Sequence, residues 1–421
     1  MGKHILIVGG GVIGLAAAHY AVRSGHRVTV VERNAAGHDG CSLGNAGMVV
    51  PSHFVPLAMP GMAGMALKSM FTPLGPIHLR PRLRLKLLRW GLDFLRSATR
   101  ERAQAARLPL RDLALLSRRC YQQLAGEQQD RFALRQHGLY VLCRDAATLH
   151  EEAELAQEAQ ALGLGAEVLD RATLQAREPG FEMRAAGAIC HTMDAHLTPQ
   201  ALVEGLRTDL AAAGVEFLWG HAARQWQTAR GRITGLLVAG PQGQRLLGAD
   251  EYVLAAGSWT PETTHGLQLR LPIEAGKGYS LTLPAPPALP QACFILAEAR
   301  IAVTPMGNSL RIGGTMEFSG LDESVDTARV QALIGNVQQF LPQFPPKVFA
   351  GVQPWTGLRP IAPDGLPYIG RTRRWQNLVV ASGHAMMGLS LAAGTGQLVG
   401  EILDGREPSM ALAPFAPERF G

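Results

Sequence analysis

Residues Lys3–Gly14 read KHILIVGGGVIG: an apolar run, three consecutive glycines, and a fourth glycine three positions further on. The run Lys3–Val8 suits the central strand of a parallel sheet, which is buried on both faces and needs no polar alternation. After it, the small-residue stretch LAAAHYAVRSG predicts a helix that stops at Gly25. HRVTVVE then predicts a second strand ending at Glu32. Each glycine has a task in such a βαβ unit. Gly9 makes the tight turn, Gly11 lets a pyrophosphate approach the backbone, and Gly14 lets helix pack on strand. Val12 and Ile13 open the helix, whose free N–H groups and positive dipole end face the phosphates. Glu32, 18 residues past Gly14, stands where an acid accepts hydrogen bonds from ribose hydroxyls. With strand, helix, second strand and terminal acid all in order, the unit reads as a dinucleotide site.

The rest of the chain repeats this grammar. LTPQALVEGLRTDLAAAG reads as a helix and VEFLWG as a strand, and EYVLAAGSWTP (Glu251–Pro261) is a buried strand ending in Ala255-Ala256-Gly257 beside Trp259. NLVVASGHAMMGLSLAAGTGQLVGEIL (Asn377–Leu403) again runs strand, glycine turn, helix. Between these lie segments of another kind, such as GLYVLCR and the hairpin RIAVTPMGNSLRIGGTMEF turning at Gly307-Asn308. The expected fold class is α/β, or α+β taken overall, with a Rossmann-type nucleotide domain interleaved with an antiparallel-sheet substrate domain. The expected boundaries are 1–85, 190–265 and 352–421 for the first, and 86–189 and 266–351 for the second.

Length allows two or three folding units. The chain has 421 residues, 47% hydrophobic and 18% charged, which excludes a disordered chain, a coiled coil or a small disulfide scaffold. Its 48 glycines are well above the usual ~7%. The five cysteines, Cys41, Cys120, Cys143, Cys190 and Cys293, are scattered without a CxxC, so no disulfide framework or zinc site is expected, and a reduced cytoplasmic compartment is. The first residues lack the regions of a secretory signal. The uncharged stretch Gly40–Leu67 holds Pro51, Pro56 and Pro60 and reads as loop rather than membrane span. Between Arg80 and Arg119 twelve Lys or Arg stand against three acids, Asp93, Glu101 and Asp112, interleaved with Leu87, Leu88, Trp90, Leu92, Phe94 and Leu95. Two readings fit this segment: a basic amphipathic helix on an anionic membrane or partner, or a solvated helix packed on its own domain. No nucleic-acid module accompanies the charge, so nucleic acid is not expected.

Several motifs together resemble the FAD-dependent D-amino-acid oxidase superfamily, and among its branches the bacterial D-amino-acid dehydrogenases. They are Gly9–Gly14, Glu32-Arg33, Ser42-Leu43-Gly44-Asn45-Ala46-Gly47, Ala255–Gly257, Lys277-Gly278-Tyr279-Ser280, Gly357-Leu358-Arg359-Pro360, Pro363-Asp364-Gly365 and Gly383-His384, with RIGGTMEF beside them. The resemblance implies that Arg33, Ser42, Asn45, Ala46 and Gly47 lie along the pyrophosphate and flavin edge. It implies that Ala223 meets the adenine through its backbone, and that Ala256, Gly257 and Trp259 border the cofactor. It further implies that the turn Gly383-His384-Ala385-Met386-Met387-Gly388-Leu389 sets backbone N–H groups near the flavin pyrimidine, where hydride arrival puts negative charge. Leu389 replaces the usual aromatic and Ala385 a common glycine.

For the substrate, the resemblance implies that Arg359 grips the carboxylate with its planar fork; otherwise it is a surface arginine or pairs with Asp364. Tyr279 either adds a hydroxyl to that carboxylate or is core. His384 either contacts flavin or substrate or is structural, and His53 either lines the pocket or packs. Met59, Met62 and Met65 read as packing. The implied reaction is hydride transfer from Cα to flavin N5 with no metal, nucleophile or protein acid or base. It yields an imino acid that hydrolyses, or a cyclic imine if the substrate is D-proline or 4-hydroxy-D-proline. FAD is expected to be non-covalent, because Cys293, the last cysteine, precedes the GLRP and GH motifs. Electrons are expected to pass to a quinone or other acceptor, with peripheral contact at the inner face of the membrane through 80–119. The alternatives are an oxygen-using oxidase of glycine or sarcosine type, and a flavin-bearing subunit inactive outside a larger complex.

Overall fold

The computed structural model describes residues 2–38, 40–62, 64, 74–75, 77–79 and 85–421. Its first sheet has six strands in the order Tyr368–Arg371, Leu378–Ser382, Glu251–Leu254, His4–Val8, Arg27–Val31 and Glu216–Leu218. All neighbours run parallel except the Tyr368–Arg371 edge. The continuous apolar character of His4–Val8 follows from its central position. Ile5 and Ile7 enter a core shared with helices, while Leu6 and Val8 enter a second core on the opposite face. The helices are Val12–Arg23, Arg100–Glu127, Pro199–Ala212 and Gly388–Asp404. The other face is covered by a three-stranded antiparallel sheet, Ala222–Ala229, Arg232–Gly240 and Gly243–Leu247, through Trp226, Ile233, Leu236 and Val238.

The second large sheet is mainly antiparallel, in the order Trp355–Ile361, Glu274–Leu283, Ser309–Phe318, Ile301–Met306, Cys293–Leu296, Leu139–Cys143, Gly187–His191 and Ala166–Asp170, with Ile77–Leu79 beside Ser309–Phe318. The hairpin turns at Gly307-Asn308 as its sequence implies, since Met306 pairs with Ser309. Strand alternation divides this sheet into two faces. Tyr140 and Leu142 pack with the helix Thr327–Phe340. Leu139, Val141 and Cys143 point the other way, toward Met48, Val50 and Phe54 of the glycine-rich loop.

Three elements fall on the other side of the expected domain boundaries, the first being Ile77–Leu79, which lies within 1–85 but pairs with Ser309–Phe318 in the antiparallel sheet. Trp355–Ile361 lies within 352–421 but pairs with Glu274–Leu283 as the edge of the antiparallel sheet. The helix Arg100–Glu127 lies within 86–189 but buries Leu110, Leu113, Ala114, Leu116, Tyr121 and Leu124 in the core of the nucleotide layer. Its apolar face decides this, and its bonds reinforce it: Ser117 Oγ donates to Ser390 O at 2.7 Å and Tyr121 OH to Leu389 O at 2.5 Å. The basic segment is thus two helices, Leu85–Ser97 and Arg100–Glu127. They are separated where Thr99 caps the second, its Oγ1 accepting from Arg102 N. Arg80 to Arg84 and Met65 lie outside the described residues, and the described part of Gly40–Leu67 is mostly loop.

Val12–Arg23 and Gly388–Asp404 pack backbone to backbone. A Cβ at Gly396 would stand 2.7 Å from Ala16 O, and one at Gly400 would stand 2.9 Å from Tyr20 Cβ. Gly396→Val should therefore cost about 1–3 kcal/mol by overpacking. The thermal midpoint of the apoprotein should fall, and an unchanged midpoint would show that these helices tolerate separation.

Candidate active site

A cavity of about 1180 Å³ is bordered by the C-terminal ends of the parallel strands and by one face of the antiparallel sheet. At the first glycine turn the protein itself demands two glycines and leaves the third open. Gly9 has φ +113°, and a Cβ there would meet Ala255 O at 2.3 Å. A Cβ at Gly14 would meet Gly9 O at 1.9 Å. At Gly11 a Cβ would meet only Ser42 Oγ, at 3.5 Å, and would otherwise project into the cavity. The space is the shape of a backbone cradle for a ligand, and Gly11, Val12 and Ile13 line it while Gly14 stays behind them. Ser42 Oγ accepts from Val12 N at 3.0 Å, so it caps the helix that faces the phosphates.

Glu32 is held by two backbone donors, Gly10 N at 2.8 Å to one carboxylate oxygen and Asn34 N at 2.9 Å to the other. Each oxygen keeps a further lone pair for a hydroxyl. Arg33 lies over the Trp259 ring at 4.5 Å, and both border the cavity with Ala223, Ala256 and Gly257. In the flavin-edge loop, Asn45 and Ala46 line the cavity, whereas Gly47 packs against Leu197 O and Met306 outside it. That loop is held by a residue the sequence reading left without a role: Arg311 Nη1 donates to Leu43 O at 2.6 Å and to Asn45 O at 2.9 Å. RIGGTMEF contained it, but nothing in the motif tells which way its first side chain points.

On the opposite wall, Met387, Gly388 and Leu389 bring the uncapped N-terminus of Gly388–Asp404 to the cavity. Gly383 is not on the surface; its φ of +81° makes the turn beneath Tyr368. Ala385 adopts φ +49°, a left-handed conformation that costs a non-glycine residue about 1–2 kcal/mol. His384 lines the cavity, but its Nε2 is tied to Thr395 Oγ1 at 3.0 Å, and burial pushes its pKa down to about 3. It is a neutral, satisfied histidine.

Arg359 faces the cavity with its Nη1 donating to Thr315 O at 2.6 Å. A Cβ at Gly278 would lie 2.2 Å from its Nη2, so the glycine of the KGYS strand is what lets the guanidinium lie flat. Burial lowers its pKa, and among the described residues it forms no ion pair. Asp364 is taken bidentately by Arg419 at 2.6 and 2.9 Å. Tyr279 is a correction. Its hydroxyl donates to the buried Glu317 at 2.8 Å and its ring packs in the core behind the sheet, so only its backbone flank reaches the cavity. Strand alternation sends Tyr279 away from the face that Gly278 opens to Arg359.

His53 lines the cavity with His191, whose ring no sequence signal marked. Burial pushes both down to about 4, so both are neutral at pH 7. Cys293 lies in the core with Sγ toward Gly138 O, whereas Cys41 borders the cavity beside Arg359, its thiol pushed up to about 11 by burial.

Comparison with known proteins accords with this geometry. The family model described as DAO, FAD dependent oxidoreductase, matches residues 4–402. The chain belongs to the DAO family of FAD-dependent oxidoreductases. It is 34% identical to a D-amino acid dehydrogenase of Methylobacterium radiotolerans, over 99% of each chain. It is 33% identical to one of Methylobacterium nodulans, over the same share of each. Among solved structures it is similar to glycine oxidase from Geobacillus kaustophilus, with a TM-score of 0.78 and 24% identity over 99% of this chain and 98% of that one. It also resembles L-proline dehydrogenase from P. horikoshii, with a TM-score of 0.73 and 16% identity over 100% of this chain and 98% of that one. The last two likenesses concern the fold. As a member of this family the protein is an FAD-dependent oxidoreductase, and the open cradle at Gly11, the pinned Glu32 and the two helix N-termini fit that cofactor.

Two glycine variants separate cofactor binding from folding. Gly11→Ala should leave the far-UV spectrum and apoprotein melting intact while weakening FAD about tenfold or more, an effect of about 1.4 kcal/mol. Gly14→Ala should fail to fold. Equal FAD affinity in Gly11→Ala, by flavin fluorescence titration, would remove Gly11 from the cofactor site.

Proposed function

We propose that this flavoenzyme dehydrogenates a D-amino acid, binding its carboxylate at Arg359 and passing electrons to a quinone or another non-oxygen acceptor. The observation that carries the reading is the guanidinium of Arg359, which lines the cofactor cavity and has no ion pair among the described residues, Asp364 being held by Arg419. A planar fork with free donors in a water-poor site is suited to a carboxylate. FAD, when bound, supplies the acceptor for the hydride from Cα.

The residues of the chain hold the substrate and exclude water. Arg359 fixes the carboxylate and thereby the position of Cα. Val141, Ile295 and Ala302 form an apolar wall, and the neutral rings of His53 and His191 offer hydrogen bonds without charge. That combination suits a compact side chain, such as the ring of D-proline or 4-hydroxy-D-proline. The product is an imino acid or a cyclic imine. FAD stays non-covalent in this reading. The names of the D-amino acid dehydrogenases to which the chain is 33–34% identical support the same substrate class.

Delivery of electrons to a membrane quinone is supported by the helix Leu85–Ser97. No described helix is long and apolar enough to cross a membrane. This helix buries Trp90 and Phe94 beside Met316 and Ile361, and it turns Leu85, Leu88, Leu92 and Leu95 outward, each at least half exposed. Lys86, Arg89 and Arg96 are exposed on the same helix, and Asp93 is buried against Arg270 at 2.5 Å, so the outer face carries no exposed acid. Leucines flanked by cations suit an anionic bilayer surface.

Anaerobic mixing with D- and L-amino acids, glycine and sarcosine should bleach the flavin with D-forms, with slow recovery in air and fast recovery with a quinone analogue. Arg359→Met should raise the substrate concentration needed about 100-fold while FAD remains bound. Fast recovery in air would replace the dehydrogenase with an oxidase, and bleaching only after a partner is added would make the chain a subunit. For the surface helix, Leu88→Glu with Leu92→Glu should abolish co-sedimentation with anionic vesicles and leave bleaching by the same amino acids unchanged. Retained co-sedimentation would remove the helix from membrane contact.

A further inference from the structure

Behind His53, one wall of the cavity carries a hydrogen-bonded chain. His53 Nδ1 lies 3.2 Å from Ser52 Oγ. Ser52 Oγ donates to Asp194 Oδ2 at 2.5 Å, and Ser52 N donates to Asp194 Oδ1 at 3.1 Å. Asp194 is fully buried. The two segments meet because Met48–Val49 and Ala195–His196 pair as a short antiparallel ladder.

The direction of each bond follows from donor and acceptor inventory. An ionised carboxylate only accepts, so the Ser52 hydroxyl must give its hydrogen to Asp194. Its oxygen is then left to accept, and His53 Nδ1 must carry the hydrogen that fills it. A neutral imidazole with its hydrogen on Nδ1 has a lone pair on Nε2. Nε2 makes no hydrogen bond to any described residue, and the ring lines the cavity. The geometry therefore presents a basic nitrogen to the substrate space, backed by two further proton positions.

We propose that His53, Ser52 and Asp194 form a relay that takes the ammonium proton from the bound amino acid before its Cα–H bond breaks. The inference rests on the amino-acid reading above. An amino acid reaches the site as an ammonium, whose nitrogen has no lone pair to push as the hydride leaves. In the relay the ammonium N–H bond breaks and a His53 Nε2–H bond forms. The Nδ1 proton passes to Ser52 Oγ, and the hydroxyl proton of Ser52 passes to Asp194 Oδ2. Ammonium and carboxylate become amine and carboxylic acid, with no charge left on His53 and no oxidant required. His53 is the group that touches the substrate; Ser52 and Asp194 act through it.

The surroundings of Asp194 suit a terminal acceptor. Burial pushes its carboxyl up to about 7, against the pull of the two Ser52 hydrogen bonds and of the more distant Arg118. Cys293 and Cys190 face it as neutral thiols, raised by burial, and His191 lies beside His53 as a neutral ring. A group of this kind is ionised often enough at neutral pH to receive a proton and basic enough to hold one.

The test is anaerobic stopped-flow bleaching of the holoenzyme by the amino acid that bleaches it best, from pH 5 to 10. The unsubstituted rate should rise with pH through a value near 7, because the carboxylate form of Asp194 is the one that accepts. Asp194→Asn keeps the acceptor for Ser52 N but cannot take the proton. It should lose about 100-fold at pH 7 and recover as pH approaches the pKa of the free ammonium substrate. Ser52→Ala should show the same displaced profile, and Ser52→Thr, which restores the hydroxyl, should regain the rate. A readout apart from turnover is the infrared C=O band of a protonated carboxyl, titrating near pH 7 in the unsubstituted holoenzyme and missing in Asp194→Asn. Unshifted pH profiles in both Asp194→Asn and Ser52→Ala, or an infrared band that persists in Asp194→Asn, would overturn the relay while leaving the amino-acid reading intact. Failure of every amino acid to bleach the unsubstituted protein would overturn both.

Discussion

The cofactor cleft depends on how closely two helices approach each other. Val12–Arg23 and Gly388–Asp404 both start at the wall of one cavity and bring their N-termini to it. They can do so only because Gly396 and Gly400 present bare backbone to Ala16 and Tyr20. The first helix is further drawn onto its strand by Gly14, which sits under the carbonyl of Gly9. A single side chain at one of these contacts would splay the helices and separate the phosphate end of the cleft from the flavin end. The helix Arg100–Glu127 locks the arrangement from outside, since Ser117 and Tyr121 bond the carbonyls of Ser390 and Leu389 at the very turn that faces the cofactor. Two dipole ends thus border one cavity, where they would favour the negative charge that FAD brings in its phosphates and gains on reduction.

The strand Glu274–Leu283 makes a comparable division on the substrate side. Its alternation puts Lys277 and Tyr279 on a buried face, where Glu317 takes the tyrosine hydroxyl and lies 3.5 Å from the Lys277 ammonium, with Arg329 at 3.7 Å. Gly278 between them opens the other face to Arg359. Charges of both signs are therefore paired behind the sheet, whereas Arg359, in front of it, has no ion pair among the described residues. Had a residue with a side chain stood at 278, the guanidinium would have been pushed off the strand. The site's cation is as much a property of that glycine as of the arginine.

These contrasts mark what a sequence reveals and what it hides. The nucleotide layer was legible because its chemistry is local: a strand, a glycine turn and a helix within Lys3–Arg23, and a terminal acid at Glu32, all follow from short-range patterns. Arg359 was singled out by resemblance, and the structure puts it at the cavity wall with a bond to Thr315 O. Tyr279 stayed open between a carboxylate contact and core because a strand tyrosine gives no hint of which face it occupies until register is known. Trp355–Ile361 was misassigned for a similar reason: a strand's partner is a tertiary fact. His191, Arg311 and the pairing of Ser52 with Asp194, 142 positions apart, are long-range meetings that no local pattern encodes.

The electrostatics of the cavity tie these parts together. An amino acid in water carries one charge of each sign, and the substrate wall answers only one of them. In the proposed reading Arg359 meets the carboxylate, while His53 and His191, which border the same cavity, are held neutral by burial. A neutral lining is hostile to an ammonium and hospitable to an amine, so desolvation itself drives the bound nitrogen toward losing its proton. That proton needs somewhere to go that does not leave a second charge beside the first. A carboxylate buried behind Ser52, reached through a neutral ring, accepts it at the cost of its own charge, and the whole exchange lowers the number of ions in a region from which water is excluded. The same burial that makes Asp194 an unfavourable place for a negative charge makes it a favourable place for a proton.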